Sequence, residues 1–154
     1  MALAAGDKAP SFKIKTDEGE TLSSAGLKGT AYVVYFYPKD DTSGCTKEAI
    51  AFSDNLKKFD KAGVRVLGVS KDSLESHAKF RKKHKLKLAL GSDPEIRMAE
   101  DWGVWGEKTL YGRKYMGMER ATFLVNAKGV IVQAWRKVKV PGHVEQVLEA
   151  VGSL

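Results

Sequence analysis

Apolar residues follow two rhythms along this chain, one of period two and one of three to four, and their alternation lays out the expected elements. Phe12 to Thr16 alternates apolar and polar side chains, and Asp17, Glu18, Gly19 and Glu20 supply a turn, so a short hairpin is expected to open the chain. Ala31 to Phe36 is an almost wholly apolar, β-branched and aromatic run, the pattern of a central strand buried on both faces. Pro38 ends it, because proline has no N–H to give to a ladder. From Thr46 the period becomes helical. Ala49, Phe52, Leu56 and Phe59 recur on one face, Lys57, Lys58 and Lys61 on the other, and Gly63 closes the helix.

Val64 to Val69 then reads as a second core strand. Asp72 and Glu75 resemble a capping box for a helix running toward His84, and Leu86 to Leu90 alternates like a strand. Pro94 suits the first turn of a short helix reaching about Trp102. Ala121–Val125 and Val130–Trp135 flank the turn signal Asn126 to Gly129, and Val144, Val147, Leu148 and Val151 mark a terminal amphipathic helix. A hairpin, three βα units and a closing ββα predict an α/β domain with a central mixed sheet covered on both faces, the architecture of a thioredoxin-like fold. No repeat or linker divides the chain, so residues 1–154 are expected to form one domain.

Composition changes this picture little. The 154 residues, 43% hydrophobic and 29% charged, suit one core. No apolar run approaches the roughly 20 residues of a membrane helix, and the first residues lack a secretory signal, so the expected location is the cytoplasm, unless an organelle-targeting peptide has been removed. The net charge of +7 invites a nucleic-acid reading. Much of the excess, however, lies in Lys79 to Lys87, the expected solvated face and end of a helix, and no nucleic-acid motif accompanies it. His77 and His84 are read as part of that solvated face rather than as metal ligands, and Trp102 and Trp105 as packing residues. No metal or nucleotide cofactor is implied.

A single cysteine, Cys45, excludes an internal disulfide and a multi-cysteine metal site. It follows the core strand through a loop of small and polar residues and stands in the first turn of the next helix. There, unpaired N–H groups and the helix dipole stabilise negative charge, and cysteines in such places are readily ionised. Inert packing would place the cysteine among the apolar helix positions, and Cys45 is read as lying apart from them.

Pro38-Lys39-Asp40-Asp41-Thr42-Ser43-Gly44-Cys45 reads as P-x-x-x-T-x-x-C, and with it the chain resembles the peroxiredoxins. The wider string Phe36 to Ala49 is similar to the bacterioferritin-comigratory-protein, or Q-type, branch. So are Gly6 to Pro10 with Phe12, Ser92 to Pro94, Gly103 to Glu107, Tyr115 to Gly117 and Arg120 to Leu124. The resemblance implies a thiol-dependent peroxidase acting on hydrogen peroxide and organic hydroperoxides, with Cys45 as the peroxidatic nucleophile. It implies that Thr42 hydrogen-bonds peroxide and thiolate, that Pro38 shields the sulfur, that Arg120 holds its guanidinium against both, and that Glu48 orients the arginine.

Ionisation alone is a small lever. A free thiol is about 3% ionised at pH 7, so complete ionisation gains at most about 30-fold. The rest must come from donors to the leaving oxygen, for which Arg120, Thr42 and the N–H groups of Gly44 and Cys45 are the candidates.

Many Q-type relatives carry a second cysteine five residues after the first. Here that position is Ile50, which predicts a one-cysteine mechanism and an external thiol reductant such as thioredoxin, glutaredoxin or glutathione. The chain lacks the long C-terminal extension of decameric relatives, so a monomer or weak homodimer is expected. Three other functions make their own demands on the sequence. A disulfide oxidoreductase needs C-x-x-C, where this chain has Cys45-Thr46-Lys47-Glu48. A non-catalytic redox sensor would relay oxidation to a partner by mixed disulfide. A holdase chaperone has no specific support.

Overall fold

The computed structural model describes residues 3–154; the reading of the chain's extreme N-terminus rests in part on residues 1 and 2, outside them. The elements are β1 (Lys13–Thr16), β2 (Thr21–Ser23), β3 (Ala31–Phe36), α1 (Ser43–Asp54), α2 (Leu56–Lys61), β4 (Val64–Ser70) and α3 (Leu74–His84). They continue with β5 (Ala89–Ser92), α4 (Arg97–Asp101), β6 (Trp105–Leu110), β7 (Arg113–Met118), β8 (Ala121–Val125), β9 (Ile131–Trp135) and α5 (His143–Val151).

Seven strands form one mixed sheet in the order β2-β1-β5-β4-β3-β8-β9. β3, β4 and β5 are parallel, as βα crossovers require, and β1, β8 and β9 join antiparallel to their neighbours. The apolar run of β3 is central because it can bury both faces. Tyr32, Val34 and Phe36 pack into one core with Trp102 and Phe123, while Val33, Tyr35 and Tyr37 pack into the other with Phe52, Phe59 and Phe80. The second core lies beneath α1, α2, α3 and α5. Tyr35 stacks on Phe52 of α1 with centroids 4.4 Å apart. The opposite side of Tyr35 lies so close to β4 that a Cβ on Gly68 would come within 2.7 Å of its ring. Only glycine at position 68 leaves room for that tyrosine.

Several expected boundaries shift, each for a local reason. The helix expected from Thr46 through Phe59 is two helices, because Asn55 breaks it and donates from Nδ2 to the Ala51 carbonyl (2.8 Å). Ser73, not Asp72, caps α3 by accepting from the Ser76 N–H, since the Asp72 carboxylate is taken by Ser70 Oγ and the Asp40 N–H. The strand expected from Leu86 begins only at Ala89, because Arg81 captures the Leu86 and Leu88 carbonyls. α4 starts at Arg97 rather than near Pro94, with the Asp93 carboxylate accepting from the Met98 and Ala99 N–H groups. A further hairpin, β6–β7, was not expected from the sequence at all.

Two features position the site. The loop leaving the C-terminal end of β3 delivers the N-terminus of α1. Because β8 runs antiparallel to β3 with Ala121 opposite Phe36, the start of β8 lies beside that same loop. Residue 120 is therefore brought to residue 45 across 75 positions of sequence.

Candidate active site

Cys45 is the third residue of α1. Thr42 is the N-cap in extended backbone, but its side chain does not cap the helix; its Oγ1 donates instead to the Lys39 carbonyl (2.9 Å). By helix geometry the N–H groups of Ser43, Gly44 and Cys45 have no acceptor within α1. They leave a patch of positive potential around the sulfur. Pro38 stands half-buried where the chain leaves β3, and Thr42 is exposed.

Cys45 itself is only 1% exposed and packs in the same core as Ala49 and Phe52. This corrects the expectation that it stands apart from the apolar face. Residues 45, 49 and 52 follow the helical repeat, and the sulfur sits at the end of that stripe. Its side-chain polar partner, Arg120, reaches it from the residue before β8.

Arg120 donates from Nη1 to Glu48 Oε1 (2.8 Å) and from Nη2 toward Cys45 Sγ (3.5 Å). Its backbone carbonyl accepts from the Val138 N–H (2.9 Å), which fixes the start of β8. Glu48 is fully buried, one turn after Cys45. Burial pushes its carboxyl up to about 7, against the charge and hydrogen bond of Arg120, which pull it down. The ion pair thus spends one face of the guanidinium and leaves the other toward the sulfur. Gly44 allows the close approach, since a Cβ there would lie 3.0 Å from Arg120 Nη2.

Behind the arginine lies a residue that sequence reasoning missed. His143 opens α5, is buried, and bonds through Nε2 to Thr122 Oγ1 (2.8 Å). Phe52 and Trp135 meet its ring edge-on. Burial, with a further push from the Arg120 charge, lowers it to about 4, so near neutral pH the ring is uncharged and does not repel the guanidinium. A lone histidine after Gly142 gave no signal of this in the sequence.

His77 corrects a second expectation. It is completely buried rather than part of a solvated face, while His84 is partly exposed and pairs with Asp41 (2.8 Å). His77 could be buried because Asp40 and the Gly91 carbonyl meet both ring nitrogens, at 2.7 and 2.9 Å. Trp102 is a fully buried core residue, as expected. Among the described residues no group of three His, Cys, Asp or Glu side chains is placed to hold a metal, and no helix is long and apolar enough to cross a membrane. Surface cavities of about 990 and 590 Å³ are lined by residues of other regions and do not include Cys45. The thiol, not a cavity, marks this site.

The chain is similar to known proteins along nearly its whole length. Residues 5–134 match the AhpC/TSA family. The chain is 51% identical to a putative peroxiredoxin bcp of Coxiella burnetii over 96% of its own length and 98% of that protein's. It is 44% identical to peroxiredoxin Bcp of Bacillus subtilis, covering 98% and 96%. Among solved structures, the Xanthomonas campestris bacterioferritin comigratory protein, described for its alkyl peroxide reduction activity, superposes with a TM-score of 0.87 at 42% identity. That match covers 92% of this chain and 90% of the other. Fold, motif and relatives converge: the chain belongs to the AhpC/TSA family, within its Bcp or Q-type peroxiredoxins, and is a thiol-dependent peroxidase.

Proposed function

We propose that the chain reduces hydrogen peroxide and organic hydroperoxides through a sulfenic acid formed at Cys45, and that an external thiol restores the enzyme. The observation that carries this reading is the approach of Arg120 Nη2 to Cys45 Sγ. It puts a permanent positive charge where the sulfur, the transferred oxygen and the leaving oxygen must lie in line.

In the first step the Cys45 thiolate attacks the terminal oxygen of the hydroperoxide. The S–O bond forms, the O–O bond breaks, and the leaving alkoxide or hydroxide takes a proton to become alcohol or water. Negative charge moves from sulfur to the leaving oxygen, so donors fixed along that line gain strength in the transition state. Arg120 and the N–H groups of Gly44 and Cys45 are such donors. The Thr42 hydroxyl hydrogen is held by the Lys39 carbonyl, which leaves its oxygen free to accept from the peroxide O–H. Pro38 limits water at the sulfur, and Glu48 fixes the arginine. In the second step a thiol attacks the sulfenic sulfur, releasing water and leaving a mixed disulfide. A second thiol then frees Cys45 and leaves as disulfide. With Cys45 the sole cysteine, both equivalents of reductant come from outside the chain. Thioredoxin, glutaredoxin and glutathione are the candidate reductants.

Alkyl peroxide reduction by the Xanthomonas relative supports the substrate class. The test is steady-state consumption of hydrogen peroxide and cumene hydroperoxide with each thiol in turn, beside Cys45→Ser. Multiple turnover by the wild type, lost in a variant with unchanged circular dichroism, is expected. Oxidation of one equivalent without turnover under any thiol would identify a sensor instead.

A further inference from the structure

Behind the Pro38–Thr42 loop lies a buried polar cluster that the reaction above does not use. Asp40, in the middle of that loop and 7% exposed, makes three side-chain hydrogen bonds. Tyr37 Oη donates to its Oδ1 (2.6 Å), and Ser76 Oγ (2.8 Å) and His77 Nδ1 (2.7 Å) meet its Oδ2. Ser76 and His77 both come from the first half of α3. The other ring nitrogen of His77, Nε2, lies 2.9 Å from the Gly91 carbonyl, which can only accept, so Nε2 carries a hydrogen. Opposite an ionised Asp40, Nδ1 donates as well, and the ring is then an imidazolium. Burial opposes that charge, but the hydrogen bond and charge of Asp40, with help from the Gly91 carbonyl and the Asp72 charge, outweigh it and raise the histidine above its ordinary value.

The loop has little else to hold its shape. Its one internal side-chain bond is Thr42 Oγ1 to the Lys39 carbonyl. Asp41 lies in the left-handed region at φ 59°, which aspartate enters more readily than most residues but still at some cost. The ion pairs of Asp41 with Lys83 and His84 are partly exposed, and such pairs contribute little. The hold that remains is buried: the Asp40 side chain on Tyr37 and on α3, and the Asp40 N–H on Asp72 Oδ2 (2.8 Å).

We propose that His77 is a positioning residue for the peroxide reaction: by gripping Asp40 from α3 it holds the Pro38–Thr42 loop, and through it Thr42 and the Cys45 end of α1, in the reactive geometry. The proposal rests on the peroxidase reading above. It assigns α3, whose residues touch neither sulfur nor arginine, a part in the rate of the sulfur's reaction.

Two substitutions at position 77 separate the contacts. Asparagine places its amide near the position of Nδ1 and keeps a donor toward Asp40 while losing that toward Gly91. Glutamine reaches the position of Nε2 and does the reverse. Each loses one buried hydrogen bond, so both are expected to lower the melting temperature by similar amounts. The second-order rate constant for hydrogen peroxide, followed by stopped flow, is expected to fall at least tenfold in His77→Gln and to stay within threefold of wild type in His77→Asn. The backbone amide resonances of Thr42, Gly44 and Cys45 in the reduced protein are expected to move in the glutamine variant only. Equal rates in two variants of matched stability would overturn the proposal and leave His77 a purely structural residue. If the position-77 variants do not fold, Ser76→Ala removes a single donor to Asp40 from the same helix. A two- to fivefold loss of rate with shifted Thr42 and Cys45 amides is then expected, and no change in either overturns the proposal. The amide shifts require no peroxide, so a wild type without peroxidase activity would end the functional reading and still leave the clamp to be judged.

Discussion

Gly44 and Arg120 stand so close that a single methyl group on the glycine would lie 3.0 Å from the arginine's Nη2. The same Nη2 points at Cys45 Sγ, so a displaced guanidinium is one moved from the reacting sulfur. Gly44→Ala is helix-compatible and should leave stability nearly unchanged. We expect its rate constant with hydrogen peroxide to fall about tenfold, given that misplacements of about 1 Å at reacting groups cost on the order of 10²-fold. An unchanged stopped-flow rate would mean that the arginine has slack at this distance.

Arg120→Met keeps much of the aliphatic packing and removes the charge. The peroxide rate constant should fall on the order of 10²-fold or more, the effect of losing one preorganised donor. Alkylation of Cys45 by iodoacetamide, which breaks no O–O bond, should fall far less. Equal losses in the two reactions would show that the guanidinium acts only on the thiolate population. The substitution also strands the buried Glu48 carboxyl, so Arg120→Met with Glu48→Gln should be more stable than Arg120→Met alone.

Glu48 and His143 link stability to pH in opposite senses. The folded value of Glu48, about 7, lies above its ordinary 4.5. Its contribution is therefore complete below pH 4.5 and lost as pH rises through 7. His143, at about 4 against an ordinary 6.5, contributes fully above pH 6.5 and loses that contribution as pH falls through 4. Between pH 4.5 and 6.5 the two oppose each other and the wild type should change little. Glu48→Gln should unmask the histidine and lose stability on acidification, by up to about 1.4 kcal/mol per pH unit. His143→Asn should gain stability over the same interval. Urea midpoints measured at each pH decide the matter, and parallel profiles in all three proteins would refute the linkage.

Ile50 occupies the position where many relatives carry a second cysteine, and it packs partly buried against the core beneath α1. Residues five apart in a helix have Cα atoms some 8–9 Å apart, beyond the roughly 7 Å that a disulfide spans, so relatives that use this pair must unwind the helix. This chain forms no such disulfide, since residue 50 is isoleucine. One equivalent of peroxide should give a monomeric sulfenic Cys45 that dimedone traps and intact-mass spectrometry detects. Excess peroxide should give the sulfinic acid. Immediate formation of a Cys45–Cys45 dimer would mean that a second subunit resolves the first.

The parts of this molecule legible in the sequence were those where one physical demand governs a whole segment. The β3 run is apolar because both its faces are buried, and the P-x-x-x-T-x-x-C string places the thiol at a helix start whatever lies beyond. The β6–β7 hairpin was missed because its alternation is mixed: Leu110, Tyr115 and Met116 are exposed, and its turn is made by Tyr111 and Gly112 at positive φ, a tyrosine being no turn signal. His77 was misjudged because lysines dominate its neighbourhood in sequence. The partners that make its burial possible lie 37 residues before it and 14 after. The contact of Arg120 with Cys45 came from the family resemblance; period and spacing alone do not predict which strand faces which helix.

Cys45, at 1% exposure, also makes the oxidised enzyme a timekeeper. At that exposure a small hydroperoxide needs only a narrow opening to the sulfur, whereas the thiol of a protein reductant, were that the partner, would need the first turn of α1 to move aside. Reduction by such a partner would then wait on the fraying of that turn. If that opening costs about 3 kcal/mol, the sulfur is presented for less than about one part in a hundred of the time. During the remainder the sulfenic acid stays within reach of a second peroxide molecule. The local stability of residues 43–48 would thereby set the peroxide level at which the enzyme ceases to be recycled and becomes irreversibly oxidised.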